Sequence, residues 1–239
     1  MDMDATVQAR QAPTEELGRG AQSRLALIRA GMEVFGENSL DGATTREIAQ
    51  RAQQNIAAIA YYFGGKEGLY LAVVEHIVEI IVGRMGRLLD EIEAFLAGPE
   101  RPPERSLELL TRLFTLSLTR NEELVAVTNI IVREQTHPTK AFAILYDGCL
   151  ARLQRLGAAL VAGCIGCDAA AEEATVRFHA LLGESLAFRF ARETIIRRAG
   201  WTTIGEREEA AIKAVIVEHT ELVLRGLRAR RQEKETSRR

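Results

Sequence analysis

The sequence predicts an all-α fold, a small N-terminal three-helix unit ahead of a larger helical body. Three observations carry this. Apolar residues recur at steps of three and four along most of the chain, the spacing of one helical face. No run sustains the period-two alternation of a half-buried strand. Glycine, proline and asparagine gather in short breaks between the periodic runs, where they stop helices. Residues 1 to about 20 have no apolar period and close on two glycines, which predicts a disordered or fraying arm. From Ser23, Leu25, Ile28, Met32 and Phe35 define the first helix, which stops in Gly36-Glu37-Asn38-Ser39. Thr44, followed three residues on by Glu47, has the capping-box order at the start of a second, short helix running to about Ala52. Gln53-Gln54-Asn55 turns the chain, and Asn55 suits the N-cap of a third short helix from Ile56 to about Phe63. Gly64-Gly65 ends it.

A long amphipathic helix follows from Lys66, with Tyr70, Val74, Ile77, Ile81, Leu88, Ile92 and Phe95 near one stripe, until Gly98-Pro99 and Pro102-Pro103 break it. Further helices are expected at about 105 to 119, 121 to 135, 139 to 163, 169 to 198 and 206 to 230. Asn121, His137-Pro138, the stretch from Gly163 to Asp168 and that from Gly200 to Gly205 separate them.

The chain has 239 residues, 47% of them hydrophobic and 27% charged, which excludes a wholly disordered chain, a collagen-like repeat and a disulfide scaffold. No stretch approaches the roughly 18 to 20 uninterrupted apolar residues of a bilayer span. The start Met-Asp-Met-Asp lacks the order of a signal peptide, and three cysteines fit a reducing compartment, so a cytoplasmic location without membrane association is expected. The formal net charge of −2 speaks against the basic footprint of a nucleic-acid binder. Between Arg19 and Lys66, however, six cations face four anions, so a mildly basic segment sits in an acidic chain.

Two short helices joined by a tight turn and preceded by a third have the geometry that lays the last helix in the major groove of DNA. Ala49 is small where the short helices would cross, Ile48 and Ile59 are apolar where they would share a core, and Tyr62-Phe63 close the unit. A plain packed hairpin has the same pattern. The run TTREIAQRAQQNIAAIAYYFGGKEGLYLAVVEH, however, resembles the DNA-binding segment of the TetR/AcrR family of bacterial one-component regulators, a likeness covering about residues 23 to 76. That family usually has glycine in the turn, where this chain has Gln53. A left-handed conformation there costs a residue with a side chain about 1 kcal/mol, which leaves room for a differently shaped turn. More weakly, REQTHPTKAFAILYDG and RFHALLGESLAFRFARETIIRRAGW resemble the C-terminal domain of the CecR-like (CerR-like) branch.

The resemblance implies a ligand-responsive regulator. It divides the chain into an arm (1–20), a helix-turn-helix domain (21–66), an effector-binding and dimerisation domain (67–230) and a basic tail (231–239). It further implies a homodimer on a palindromic operator in double-stranded DNA, released when a small molecule binds. Thr44 and Thr45 would meet a phosphate at a helix N-terminus, and Tyr62 and Lys66 would clamp the backbone. Gln54 and Asn55 have the amides that read adenine, Ala57 and Ala58 fit against thymine methyls, Tyr61 is a further reader, and Arg46 reaches guanine or phosphate. Asn55 also has the simpler role of a cap. For the effector, Phe114, Asn129, Arg133, His137, Phe142, Tyr146, Phe178 and Phe188 form an aromatic set with polar points, which favours an apolar or aromatic ligand unless they are core. His179, Gly183 and Ala187 at four-residue steps, with Ile212, Val215, Ile216, Leu222 and Val223 on the last helix, are the expected dimer surface; completing the monomer core is the alternative.

Other chemistry is thinly represented. Cys164 and Cys167 have redox or metal spacing without a second pair, and Glu134 with His137, or His179 with Glu184, fit a surface role better than a metal or acid–base pair. Gly64-Gly65-Lys66 is not a phosphate-binding loop. The reading is of a protein without catalytic residues, metal or cofactor. The competing function is a helical small-molecule binder or enzyme in which the hairpin is structural.

Overall fold

A computed structural model describes residues 12–118 and 123–237, and every element among them is helical. Of the arm expected over residues 1–20, residues 1–11 lie outside the described residues, as does the break at Asn121. In chain order the helices are α1 (Ala12–Glu37), α2 (Thr45–Arg51), α3 (Ala57–Phe63), α4 (Lys66–Ala97), α5 (Pro103–Leu118), α6 (Glu123–Thr136), α7 (Lys140–Leu145), α8 (Ala151–Ile165), α9 (Glu172–Phe190), α10 (Arg192–Ala199) and α11 (Glu206–Thr236). Tyr146–Leu150 forms a π-helical turn between α7 and α8. Two expectations are corrected. The first helix begins at Ala12, before any apolar stripe exists, because Pro13 is tolerated in a first helical turn. The single helix expected over 169 to 198 is two, broken at Ala191, whose backbone (φ −105, ψ 28) leaves the helical region.

The chain forms two compact units. The described residues of Met1–Val78 and Glu122–Leu145 make the first, so α6 and α7 join the N-terminal helices. Leu27, Val34, Phe35, Ile48, Ile59, Leu69 and Val73 are among its fully buried apolar residues, and Phe35 meets Tyr70 edge-on with ring centroids 5.0 Å apart. α6 lies very close to α1: a Cβ on Gly36 would sit 2.7 Å from the Cα and Cβ of Ala126, so only glycine fits there.

The second unit comprises Glu79–Asn121 and Tyr146–Arg239 in its described part. α5, α8, α9 and α11 enclose Leu109, Leu110, Leu113, Phe114, Leu156, Leu160, Val161, Phe178 and Ile216. Each such side chain stabilises the fold by roughly 1.5–3 kcal/mol. Ion pairs stay at the rim, Glu91 with Arg105 and Arg112, Glu93 with Arg152 and Arg155. The run Lys140–Ile165 has the length and mean hydropathy (1.2) of a membrane span, but 56% of its most apolar stretch is buried against its own chain, as a core helix is.

Candidate nucleic-acid interface

The interface begins where α2 starts. Thr44 is extended (φ −113, ψ 141) and its hydroxyl oxygen accepts from the Glu47 N–H at 3.2 Å, which caps the helix and leaves the hydroxyl proton to donate outward. Thr45 is half-buried and Arg46 exposed. Ile48 and Ala49 face inward, while Arg51 ties α2 to α1 through two bonds to Glu37 (2.8 and 3.0 Å) and donates within α2 to Glu47 (3.2 Å). The Arg51 hydrogen bond holds the Glu37 carboxyl below the usual carboxylate range.

Gln53 adopts the left-handed conformation (φ 54), so the glycine-type turn is kept without glycine. Two bonds close the end of α2: Gln53 N–H to the Gln50 carbonyl (3.1 Å) and Gln54 N–H to the Ala49 carbonyl (2.9 Å). This is the Schellman pattern, and satisfying two orphan carbonyls offsets the strain of about 1 kcal/mol. The anticipated change in turn shape is therefore absent.

α3 is capped by Asn55, whose Oδ1 accepts from Ala57 N–H at 2.9 Å. Only Ile59 of α3 is buried. Ala57, Ala60 and Tyr61 face outward, Tyr61 being 82% exposed, with Ile56 (50% exposed) just ahead of them. Gln54, Ala58 and Tyr62 are half-buried. Tyr62 packs edge-on between Tyr61 and Phe63, and the Arg24 guanidinium covers the Phe63 ring at 5.3 Å. Lys66 is turned inward: its Nζ donates to the carbonyls of Ala43 (3.1 Å) and Asp41 (3.3 Å), so it braces the loop before α2. All ten expected DNA-contacting residues thus fall in one unit, Lys66 as a brace. Ile56 and Ala60 share the exposed face, which the sequence does not announce, since an apolar side chain in a short helix reads as core until its exposure is known.

The expected effector set is divided. Asn129 donates to the Gly36 carbonyl (3.2 Å), and Arg133 Nη1 donates to the carbonyls of Phe35 (2.6 Å) and Asn38 (2.7 Å). These residues cap the C-terminus of α1 within the first unit, because carbonyls left open at a helix end draw a cation and an amide. His137 is exposed beside Thr136, and Phe142 is half-buried in the same unit. In the second unit Phe114 and Phe178 are fully buried and stack at 5.9 Å, so they fill the core; Tyr146 is exposed and Phe188 half-buried against that core.

Glu134, only 1% exposed, accepts from the Tyr70 hydroxyl at 2.7 Å and from the Thr139 N–H and hydroxyl at 3.0 Å. Burial, then the neighbouring carboxylate, pushes the Tyr70 hydroxyl far above its ordinary pKa. Glu134 therefore pairs with Tyr70 and not with His137. Glu184 likewise meets His219, while His179 meets Gln154.

On α9, His179, Gly183 and Ala187 are exposed, joined by Val176 (58%). On α11, Val215 (40%), Leu222 (64%) and Val223 (44%) are exposed. Ile212 and Ile216 are corrected: with Thr220 and Leu224 they are buried in their own core. None of the three cysteines forms a disulfide, and burial pushes the Cys164 thiol up to about 12 and that of Cys149 to about 11, which leaves these two unreactive. No group of three or more potential metal ligands occurs among the described residues.

Two family models match. One, described as bacterial regulatory proteins of the tetR family, covers residues 27–73; the other, the C-terminal domain of the HTH-type transcriptional dual regulator CecR, covers 103–227. The chain is 38% identical to the HTH-type transcriptional dual regulator CecR of Shigella flexneri over 89% of its length and 96% of the relative's. Its fold is similar to that of a transcriptional regulator from Rhodococcus sp. Rha1 (TM-score 0.53, 22% identity, 85% and 96% of the two chains). It is also similar to a regulator from Aquifex aeolicus VF5 (TM-score 0.50, 19% identity, 84% and 99%).

Proposed function

Because the chain belongs to the TetR family and carries a CecR-type C-terminal domain, it is a DNA-binding transcriptional regulator, and we propose that it is a dimeric repressor released from a palindromic operator by a small molecule. The observation that carries the reading is the outward face of α3, where Ala57, Ala60 and Tyr61 stand clear of the protein next to the hydroxyl-bearing start of α2. Such a face fits a major groove, with Thr44 and Thr45 on the flanking phosphates. Modest local charge makes a single head a weak binder, so two heads act together on two half-sites. The partner surface is the exposed small and apolar stripe of α9 and α11, from Val176, Gly183 and Ala187 to Val215, Leu222 and Val223. The effector, of apolar or aromatic character, binds the second unit beside Phe188, and its preference for the DNA-incompetent state sets the coupling free energy. Activation at some promoters is a second reading, favoured by the name of the Shigella relative, a dual regulator.

Fluorescence anisotropy with duplexes from the chain's own promoter region tests the proposal. Binding should depend on sequence, fall steeply between 50 and 200 mM salt as phosphate contacts require, and weaken for Gln54→Ala and Tyr61→Ala, by roughly the 1–3 kcal/mol of a base contact. Equal affinity for all duplexes, or a monomer in sedimentation with operator present, would overturn it.

A further inference from the structure

Residues 52–65, the turn and the whole of α3, contain no charged side chain. The cations at either end are engaged by their own chain, Arg51 by the carboxylates of Glu37 and Glu47 and Lys66 by the carbonyls of Asp41 and Ala43. Arginine and lysine are the commonest readers of guanine, through O6 and N7 in the major groove. α3 presents neither. Its outer face is Ile56, Ala57, Ala60 and the ring of Tyr61, an apolar surface of methyl groups and an aromatic edge. Of the two amides beside it, Asn55 has its oxygen bound to the Ala57 N–H, whereas the Gln54 side chain makes no hydrogen bond to the described residues.

Resting on the reading of α3 as the DNA reader, we infer that the base pairs it covers are A·T pairs, with thymine methyls against Ile56, Ala57 and Tyr61 and one adenine held by the Gln54 amide. The thymine C5-methyl is the apolar group that a base edge offers in the major groove. A guanine edge set against Ile56 and Ala57 would lose water from two acceptors and gain no donor, the costly arrangement for a buried polar group. Among the described residues of α2 the exposed cation held in no ion pair is Arg46, which leaves guanine contacts to the flank of the half-site.

Selection of random duplexes with the full-length protein, followed by anisotropy on the enriched site, tests this. The expected half-site has consecutive A·T pairs at its core. Replacing each of its thymines by uracil, which removes only the methyl, should weaken binding about fourfold per contacted position. Ile56→Ala should make one of those positions insensitive to the replacement while the others keep their response. Enrichment of G·C pairs at the core, or unchanged affinity for the uracil duplexes, would overturn the inference and leave the DNA-binding reading standing. Failure to enrich any sequence would remove both.

Discussion

In the first unit α6 is seated on α1 by directional bonds, whereas in the second unit α8 is seated on α5 and α9 by apolar contact. Arg133 and Asn129 donate to three carbonyls at the end of α1, and Glu134 accepts from Tyr70 and Thr139. The second unit has no comparable buried polar cluster among its described residues; its centre is the Phe114–Phe178 stack and its leucines. Hydrogen bonds inside a protein accept one geometry and are costly when half-made, while apolar side chains of similar volume can be exchanged. The contrast suits the two tasks. Under the proposed function, a head that reads DNA must hold α3 in one pose, and a body that senses a ligand benefits from a core that tolerates change.

The sharpest break in the comparison comes from the second unit. Phe178 touches the backbone of α8 so closely that a Cβ on Gly157 would lie 2.1 Å from its ring. Phe178→Ala should therefore cost about 3–5 kcal/mol in urea unfolding, the usual loss for a deleted core aromatic, with the second unit's transition moving first. Next in size is Arg133→Ala, which strips α1 of a charged donor and should cost about 1.5–3 kcal/mol. Because it acts on the head, operator affinity should fall with it, and Arg133→Lys should restore part of both. If only stability changed, the clamp would be structural alone.

Tyr70→Phe removes one donor from Glu134 and keeps the two from Thr139. The expected cost is about 1–2 kcal/mol by chemical denaturation, and a smaller loss would mean that packing against Phe35 holds α4 there. Gln53→Gly is the mildest. It relieves the left-handed strain and should raise stability by up to about 1 kcal/mol, less the added freedom of the unfolded chain, with no change in sequence preference.

The arrangement of the head was largely legible. Thr44 with Glu47, the small Ala49, Ile48 and Ile59, and the cap at Asn55 are local signals, each complete within a few residues, and the backbone forms what they specify. The roles of Asn129, Arg133 and Lys66 were not legible. A polar residue in an amphipathic helix reads the same whether it meets a ligand, a phosphate or a carbonyl 90 residues away, and Arg133 reaches Phe35 across 98 positions. The same limit misplaced Ile212 and Ile216, because an apolar stripe does not say which part of it the chain itself will cover.

The sequence by itself determined the helical class, the order of the head's helices and the kinship with TetR regulators, since these rest on periodicity and contiguous motifs. Tertiary structure alone decided that α6 and α7 belong with the head and that Gln53 keeps the left-handed turn. It also decided that the two cations flanking α3 are engaged by their own chain. The physical reason is common to all three. Each depends on which carbonyl or carboxylate the folded backbone brings within reach of a donor, and the identity of a residue carries no record of that.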